Sequence, residues 1–176
     1  MNSLVNAVDL VRTVPFPPLQ KWSTGAGETV QPFDLSFTWK VKAADTGFAF
    51  SVYEMVIQPD KQIPIHIHPF PEFFYVLDGQ IDVMGLDAQG RLTYIPVAAG
   101  ECANAPATAP HGIKNRSQAP AKFLSVSNYE HQKAFDEYLA FLETPKGRAT
   151  DDRQRAQYLT TRFAAYKIAF LDARER

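Results

Sequence analysis

From Leu35 the chain alternates strictly: Leu35, Phe37, Trp39 and Val41 are apolar, and Ser36, Thr38, Lys40 and Lys42 between them are polar. Successive side chains of a strand point to opposite faces, so this pattern commits the segment to a strand with one buried face. Further short runs read the same way: Phe48 to Ile57, Ile63 to His68, Glu72 to Leu77, Gln80 to Met84, Arg91 to Val97, Glu101 to Pro106, His111 to Asn115 and Lys122 to Ser127. The links between them are turn chemistry, as in Asp78-Gly79, Ala88-Gln89-Gly90 and Ala99-Gly100. Eight or nine short strands at even spacing predict an antiparallel sandwich or barrel over residues 34–128.

The flanks read differently. Residues 1–33 carry Pro15, Pro17, Pro18, Gly25 and Gly27, punctuation that breaks regular structure, and are expected to form an N-terminal arm. After Asn128 the period becomes helical, with Phe135, Tyr138, Leu139 and Leu142 at i, i+3, i+4 and i+7 until Pro145 and Gly147 end the run. A second helix is expected from about Thr150 and Asp151, with Leu159, Phe163, Tyr166 and Phe170 on one face. Residues 129–176 therefore read as a C-terminal pair of helices whose apolar stripes pack on the barrel or a partner subunit.

Composition narrows the function classes. A chain of 176 residues, 45% hydrophobic and with a net charge of -1, is too apolar for disorder and suits one domain. The near-neutral balance also argues against nucleic acid as a partner. A single cysteine, Cys102, excludes an internal disulfide and a thiolate-rich zinc site, and reads as a small buried apolar residue. No stretch approaches the roughly 20 apolar residues of a membrane span, and the first residues lack the order of a secretion signal. The expectation is a soluble, cytoplasmic protein without a membrane partner.

Three of the four histidines stand in two short stretches. In IHIHPFPEFFYVLDG, His66 and His68 are two apart and share a strand face, and Glu72 follows across a turn marked by Pro69 and Pro71. Two imidazoles and a carboxylate form a nitrogen and oxygen ligand set for a divalent metal, to which His111 of GECANAPATAPHGIKN adds a third nitrogen. Unmetallated and inside a barrel, each of these groups would need its own hydrogen-bond partner. His131, in the polar run YEHQK, reads as an ordinary exposed residue.

These stretches resemble the two motifs of the cupin superfamily. The first is Gly, five residues, His-x-His, three or four residues, Glu, six residues, Gly; His66, His68, Glu72 and Gly79 match, and Asp60 replaces the opening Gly. The second is Gly, five residues, Pro-x-Gly, two residues, His, three residues, Asn; Gly100, Pro106, His111 and Asn115 match, and Thr108 replaces the middle Gly. The resemblance implies a mainly β, antiparallel jelly-roll (double-stranded β-helix) barrel. It also implies one divalent transition metal (Fe, Mn, Ni, Zn or Cu) on His66, His68 and His111, with Glu72 as fourth ligand or as catalytic acid or base. Gly79 and Asn115 are expected to be structural, and Thr108 to bring a different or strained turn before His111.

Within the superfamily, the arm, single barrel and helical tail look most like the quercetin dioxygenase-like single-domain cupins. That implies a dioxygenase-type oxidoreductase acting on a small phenolic or enolisable organic substrate held on the metal. Two other readings stand beside it: a non-oxidative isomerase, decarboxylase or lyase, and a non-catalytic small-molecule binder. Phe74 and Val76 share the face of Glu72 and predict an apolar cavity wall. Phe73, Tyr75 and Leu77 lie on the opposite face, which predicts cover by the arm, the tail helices or a second subunit, hence a homodimer.

Overall fold

The computed structural model describes residues 19–23, 25–31 and 35–171. Most of the expected arm lies outside these residues; within it, Thr29–Val30 form a short strand, β1. The strands that follow are β2 (Leu35–Val41), β3 (Ser51–Ile57), β4 (Gln62–Ile67), β5 (Glu72–Asp78), β6 (Gln80–Leu86), β7 (Leu92–Ala98), β8 (Cys102–Ala105), β9 (His111–Lys114) and β10 (Ala121–Ser127). A 3-10 turn at Ala43–Thr46 separates β2 from β3. Helices α1 (Tyr129–Glu143), α2 (Pro145–Arg148) and α3 (Asp152–Ala165) come next, and β11 (Ala169–Phe170) closes the described chain.

The strands form two antiparallel sheets in the orders β1-β2-β3-β10-β5-β8 and β11-β4-β9-β6-β7, the jelly-roll barrel expected. Period two decides what each sheet buries. On β3 the inward set is Ser51, Tyr53, Met55 and Ile57; on β10 it is Ala121, Phe123, Ser125 and Ser127; on β5 it is Glu72, Phe74 and Val76. Phe37, Trp39, Met55, Phe74, Val76 and Phe123 head one continuous core between the sheets. Tyr53, Glu72 and Ser125 are polar members of otherwise apolar inward rows, and they meet at one place.

The helical tail closes on the barrel. The Asn128 side chain accepts from the His131 backbone N–H at 3.1 Å and starts α1, and a reciprocal Asp151–Gln154 box starts α3. From α1, Phe135 packs on Phe37 with ring centroids 5.2 Å apart, and Phe70, Ala134, Phe163 and Ile168 form a second cluster. β11 then pairs with β4, placing Phe170 opposite His66. The second helix therefore ends at Ala165, earlier than its stripe implied: Tyr166 caps it, and Phe170 reaches the same side as part of a strand. No described helix is long and apolar enough to cross a membrane.

One expectation about exposure is corrected, and one of the three alternatives behind another is removed. Cys102 is exposed, not buried, because it pairs with Tyr75 on the edge strand β8, where period two turns both side chains outward. The outer face of β5 is not covered by the tail helices, which lie on the other side of the sheet; Phe73, Tyr75 and Leu77 are 37–41% exposed.

Candidate metal centre and cavity

His66, His68, Glu72 and His111 come together inside the barrel, each no more than 6% exposed. One ligand atom from each lies within 4.8 Å of all the others. β4 and β9 bring His66 and His111 directly opposite each other, and β5 carries Glu72 across from the other sheet.

Backbone carbonyls set the state of each ring. The Nδ1 atoms of His66, His68 and His111 lie 2.9, 2.7 and 2.8 Å from the carbonyl oxygens of Pro64, Phe70 and Ala109. A carbonyl only accepts, so each Nδ1 donates, and in the neutral ring each Nε2 keeps its lone pair. Those lone pairs converge on Glu72 Oε2, which stands 3.3 Å from His68 Nε2, 3.3 Å from His111 Nε2 and 4.0 Å from His66 Nε2. Four acceptors facing one point repel one another unless a cation stands between them. Ligands at about 2.0–2.2 Å from one ion are roughly 3 Å apart at right angles and roughly 4 Å apart in trans, so these spacings fit a divalent transition metal.

Without an ion, the same groups lean on one another electrostatically. Burial alone would raise Glu72, but the surrounding imidazoles of His131, His111, His68 and His66 outweigh it and hold the carboxyl well below the usual carboxylate range. Burial pushes His66 down to about 3, whereas Glu72 offsets the burial of His111 and leaves that ring raised.

The glycine replacements leave the frame intact. Asp60 and Thr108 both adopt the left-handed backbone that glycine favours, at φ 60° and 65°. The turn before His111 is thus the strained alternative and not a different turn. Its Thr108 N–H donates to the His68 carbonyl at 2.8 Å, tying the two ligand loops together, and the Asp60 N–H donates to the Asn115 carbonyl. Asn115 is structural, as expected: its Nδ2 donates to the carbonyls of Ile57 and Ala119, and its Oδ1 accepts from Ser117.

Three polar residues beside the centre are absent from the motifs. Tyr53 Oη donates to Glu72 Oε1 at 2.8 Å, and Ser125 Oγ donates to the same oxygen at 2.5 Å. The third is His131, whose Nδ1 lies 3.1 Å from Tyr53 Oη. His131 is only 3% exposed, against the expectation of a surface residue. It shares the inward face of α1 with Phe135 and Tyr138, at i, i+4 and i+7, and burial lowers it to about 4. Helical phase was the signal that could have found it; the polar neighbours Glu130, Gln132 and Lys133 hid it.

A cavity of about 490 Å³ leads to the centre, with His66, Glu72 and His131 in its wall. The rest of the wall is mostly apolar, with Phe37, Met55, Phe74, Phe135, Leu159 and Phe163 contributing. Phe74 lines it as expected, while Val76 lies in the core. The tail stripes thus do more than pack, because α1, α3 and Phe170 of β11 build one side of the cavity.

A small antiparallel barrel with a buried three-histidine, one-glutamate centre at the end of an apolar cavity defines a class of metal-binding β-barrel. The cupin domain model matches residues 53–127, which identifies that segment as a cupin domain. No curated protein matches the sequence. Among solved structures, the polyketide cyclase RemF from Streptomyces resistomycificus is 21% identical over 64% of this chain and 80% of its own, with a TM-score of 0.55. TT1209 from Thermus thermophilus is 30% identical over 45% of this chain and 71% of its own, with a TM-score of 0.40. A sugar phosphate isomerase of the cupin superfamily from Silicibacter pomeroyi is 29% identical over 53% of this chain and 59% of its own, with a TM-score of 0.44. Of the three, the first superposes best, and at that identity it speaks to the fold alone.

Proposed function

We propose that this cupin is a metal-dependent enzyme of the dioxygenase type, acting on a small phenolic or enolisable organic substrate whose oxygen binds at the metal. The observation that carries the reading is the convergence of three Nε2 lone pairs and Glu72 Oε2 at the end of a largely apolar cavity of about 490 Å³. His66, His68, His111 and Glu72 would hold a divalent transition metal, which would supply Lewis acidity to the substrate oxygen. The cavity binds the apolar body of the substrate and excludes water. Glu72 takes or holds the substrate proton, and Tyr53 and Ser125 fix its Oε1 so that Oε2 stays aimed at the centre.

Oxygen uptake tests this. The iron, manganese, nickel, zinc and copper forms are offered flavonols and β-diketones, and at least one form is expected to consume oxygen in step with substrate loss. If none does, the oxygenase reading fails. The Tyr53–His131 contact behind Glu72 favours a second reading, in which the same centre moves a proton without oxygen, as an isomerase, decarboxylase or lyase would. Turnover under anaerobic conditions separates the two.

A further inference from the structure

We propose that His131 is a second anchor for the substrate: its Nε2 accepts a hydrogen bond from a hydroxyl group of the ligand whose first oxygen sits at the His66–His68–Glu72–His111 centre. The inference rests on the small-substrate reading above and narrows it to molecules with a second, hydrogen-bearing oxygen.

Hydrogen-bond bookkeeping assigns the acceptor. An ionised carboxylate only accepts, so Tyr53 Oη, 2.8 Å from Glu72 Oε1, spends its single hydrogen there. The Tyr53 oxygen is then left as an acceptor for His131, and Nδ1, 3.1 Å away, must be the donor. A neutral imidazole protonated on Nδ1 presents a lone pair at Nε2. Among the described residues, the His131 side chain makes its hydrogen bond through Nδ1. Nε2 therefore remains, on a residue that is 3% exposed and lines the cavity. An acceptor in the cavity wall with no protein partner is free to take a hydrogen bond from a ligand hydroxyl.

The position selects the ligand as well. The His131 and His68 rings are 5.7 Å apart, centroid to centroid, and Phe70 and Phe135 flank His131 at 5.9 and 5.2 Å. The substrate class is a largely apolar, ring-bearing molecule with one oxygen at the centre and a separate hydroxyl a few bonds away.

The test uses the full chain loaded with redox-inert zinc, so that binding is read without turnover. Calorimetry compares 1,3-dihydroxynaphthalene, whose oxygens cannot both reach one ion, with 3-methoxy-1-naphthol, which keeps the oxygen and loses the hydrogen. The wild type is expected to bind the diol about tenfold more tightly. His131→Phe should bind both alike, with zinc content unchanged, and His131→Gln, whose amide oxygen also accepts, should recover part of the preference. In the unmodified protein the Nε2 nitrogen resonance of His131 should move with the diol and not with the ether, a readout that does not depend on any variant folding. Equal affinities in the wild type, or a tenfold preference that survives in His131→Phe, would overturn the proposal. Oxygen uptake without this preference removes the anchor and leaves the enzyme reading, whereas the preference without oxygen uptake does the reverse.

Discussion

Thr108→Gly is expected to stabilise the protein without touching the metal centre. Thr108 holds φ at 65°, a region where an L-residue costs about 1–2 kcal/mol, and the branched Cβ of threonine puts it at the upper end. Its side chain is exposed, and its N–H bond to the His68 carbonyl survives in glycine. Glycine returns roughly 0.5–1 kcal/mol through the greater freedom of the unfolded chain, which leaves a net gain of about 1 kcal/mol. With a urea m-value near 2 kcal/mol/M, the midpoint of the metal-free protein should rise by about 0.5 M at unchanged slope. Asp60→Gly is the control: aspartate tolerates the left-handed region, so its midpoint should move by less than half as much. A lower midpoint for Thr108→Gly, or a loss of bound metal, would refute the claim that the glycine-type turn is kept at the cost of strain.

The remaining expectations are briefer. Protein purified without an affinity tag should carry metal in stoichiometric amount by elemental analysis, and the His66→Ala, His111→Ala double variant should carry almost none; equal content in the two would refute the ligand set. Burial lowers His131 to about 4, so the unfolded chain takes up its proton first as pH falls below about 6.5. Stability should therefore drop between pH 6.5 and 4, by an amount on the order of 3 kcal/mol from this group, and His131→Phe should lessen that slope of the urea midpoint against pH without abolishing it, because buried His66 adds a slope of the same sign. Tyr53→Phe removes one of two donors to Glu72 Oε1 and should lower turnover by roughly 10–100-fold while metal is retained, measured by steady-state rates alongside metal content. We also propose that the exposed Phe73, Tyr75 and Leu77 face joins two copies; sedimentation should show a dimer that Tyr75→Glu converts to monomer, and a monomeric wild type would end the idea.

Residues whose role is fixed by local spacing were legible in the sequence. Strand period two found β2, which runs Leu35–Val41 inside the alternating stretch that ends at Lys42, although Thr38 is buried with Phe37 and Trp39, and the two-residue step between His66 and His68 put them on one face. The ends that sequence missed were decided by long-range pairing: β11 exists because Phe170 finds His66 across the sheet, which no local pattern around residue 170 announces. The same holds for Tyr53 and Ser125. Each looks like an ordinary polar residue until the register pairs Ser125 with Tyr53 on one side and with Phe74, two residues beyond Glu72, on the other.

His131 shows why composition misleads at such a place. A polar neighbourhood signals solvent only when the residue lies on the outer face of its helix, and Asn128 fixes that phase by capping α1 three residues earlier. Once the phase is fixed, the inward side must carry His131 along with Phe135 and Tyr138, and a buried imidazole needs a polar partner. Tyr53 supplies one for Nδ1 because its own hydrogen is committed to Glu72, and Glu72 remains a carboxylate because imidazoles surround it. The metal motif and the helical tail are therefore joined by one chain of hydrogen bonds, so a change in the tail at residue 131 should be felt at Glu72, two side chains away.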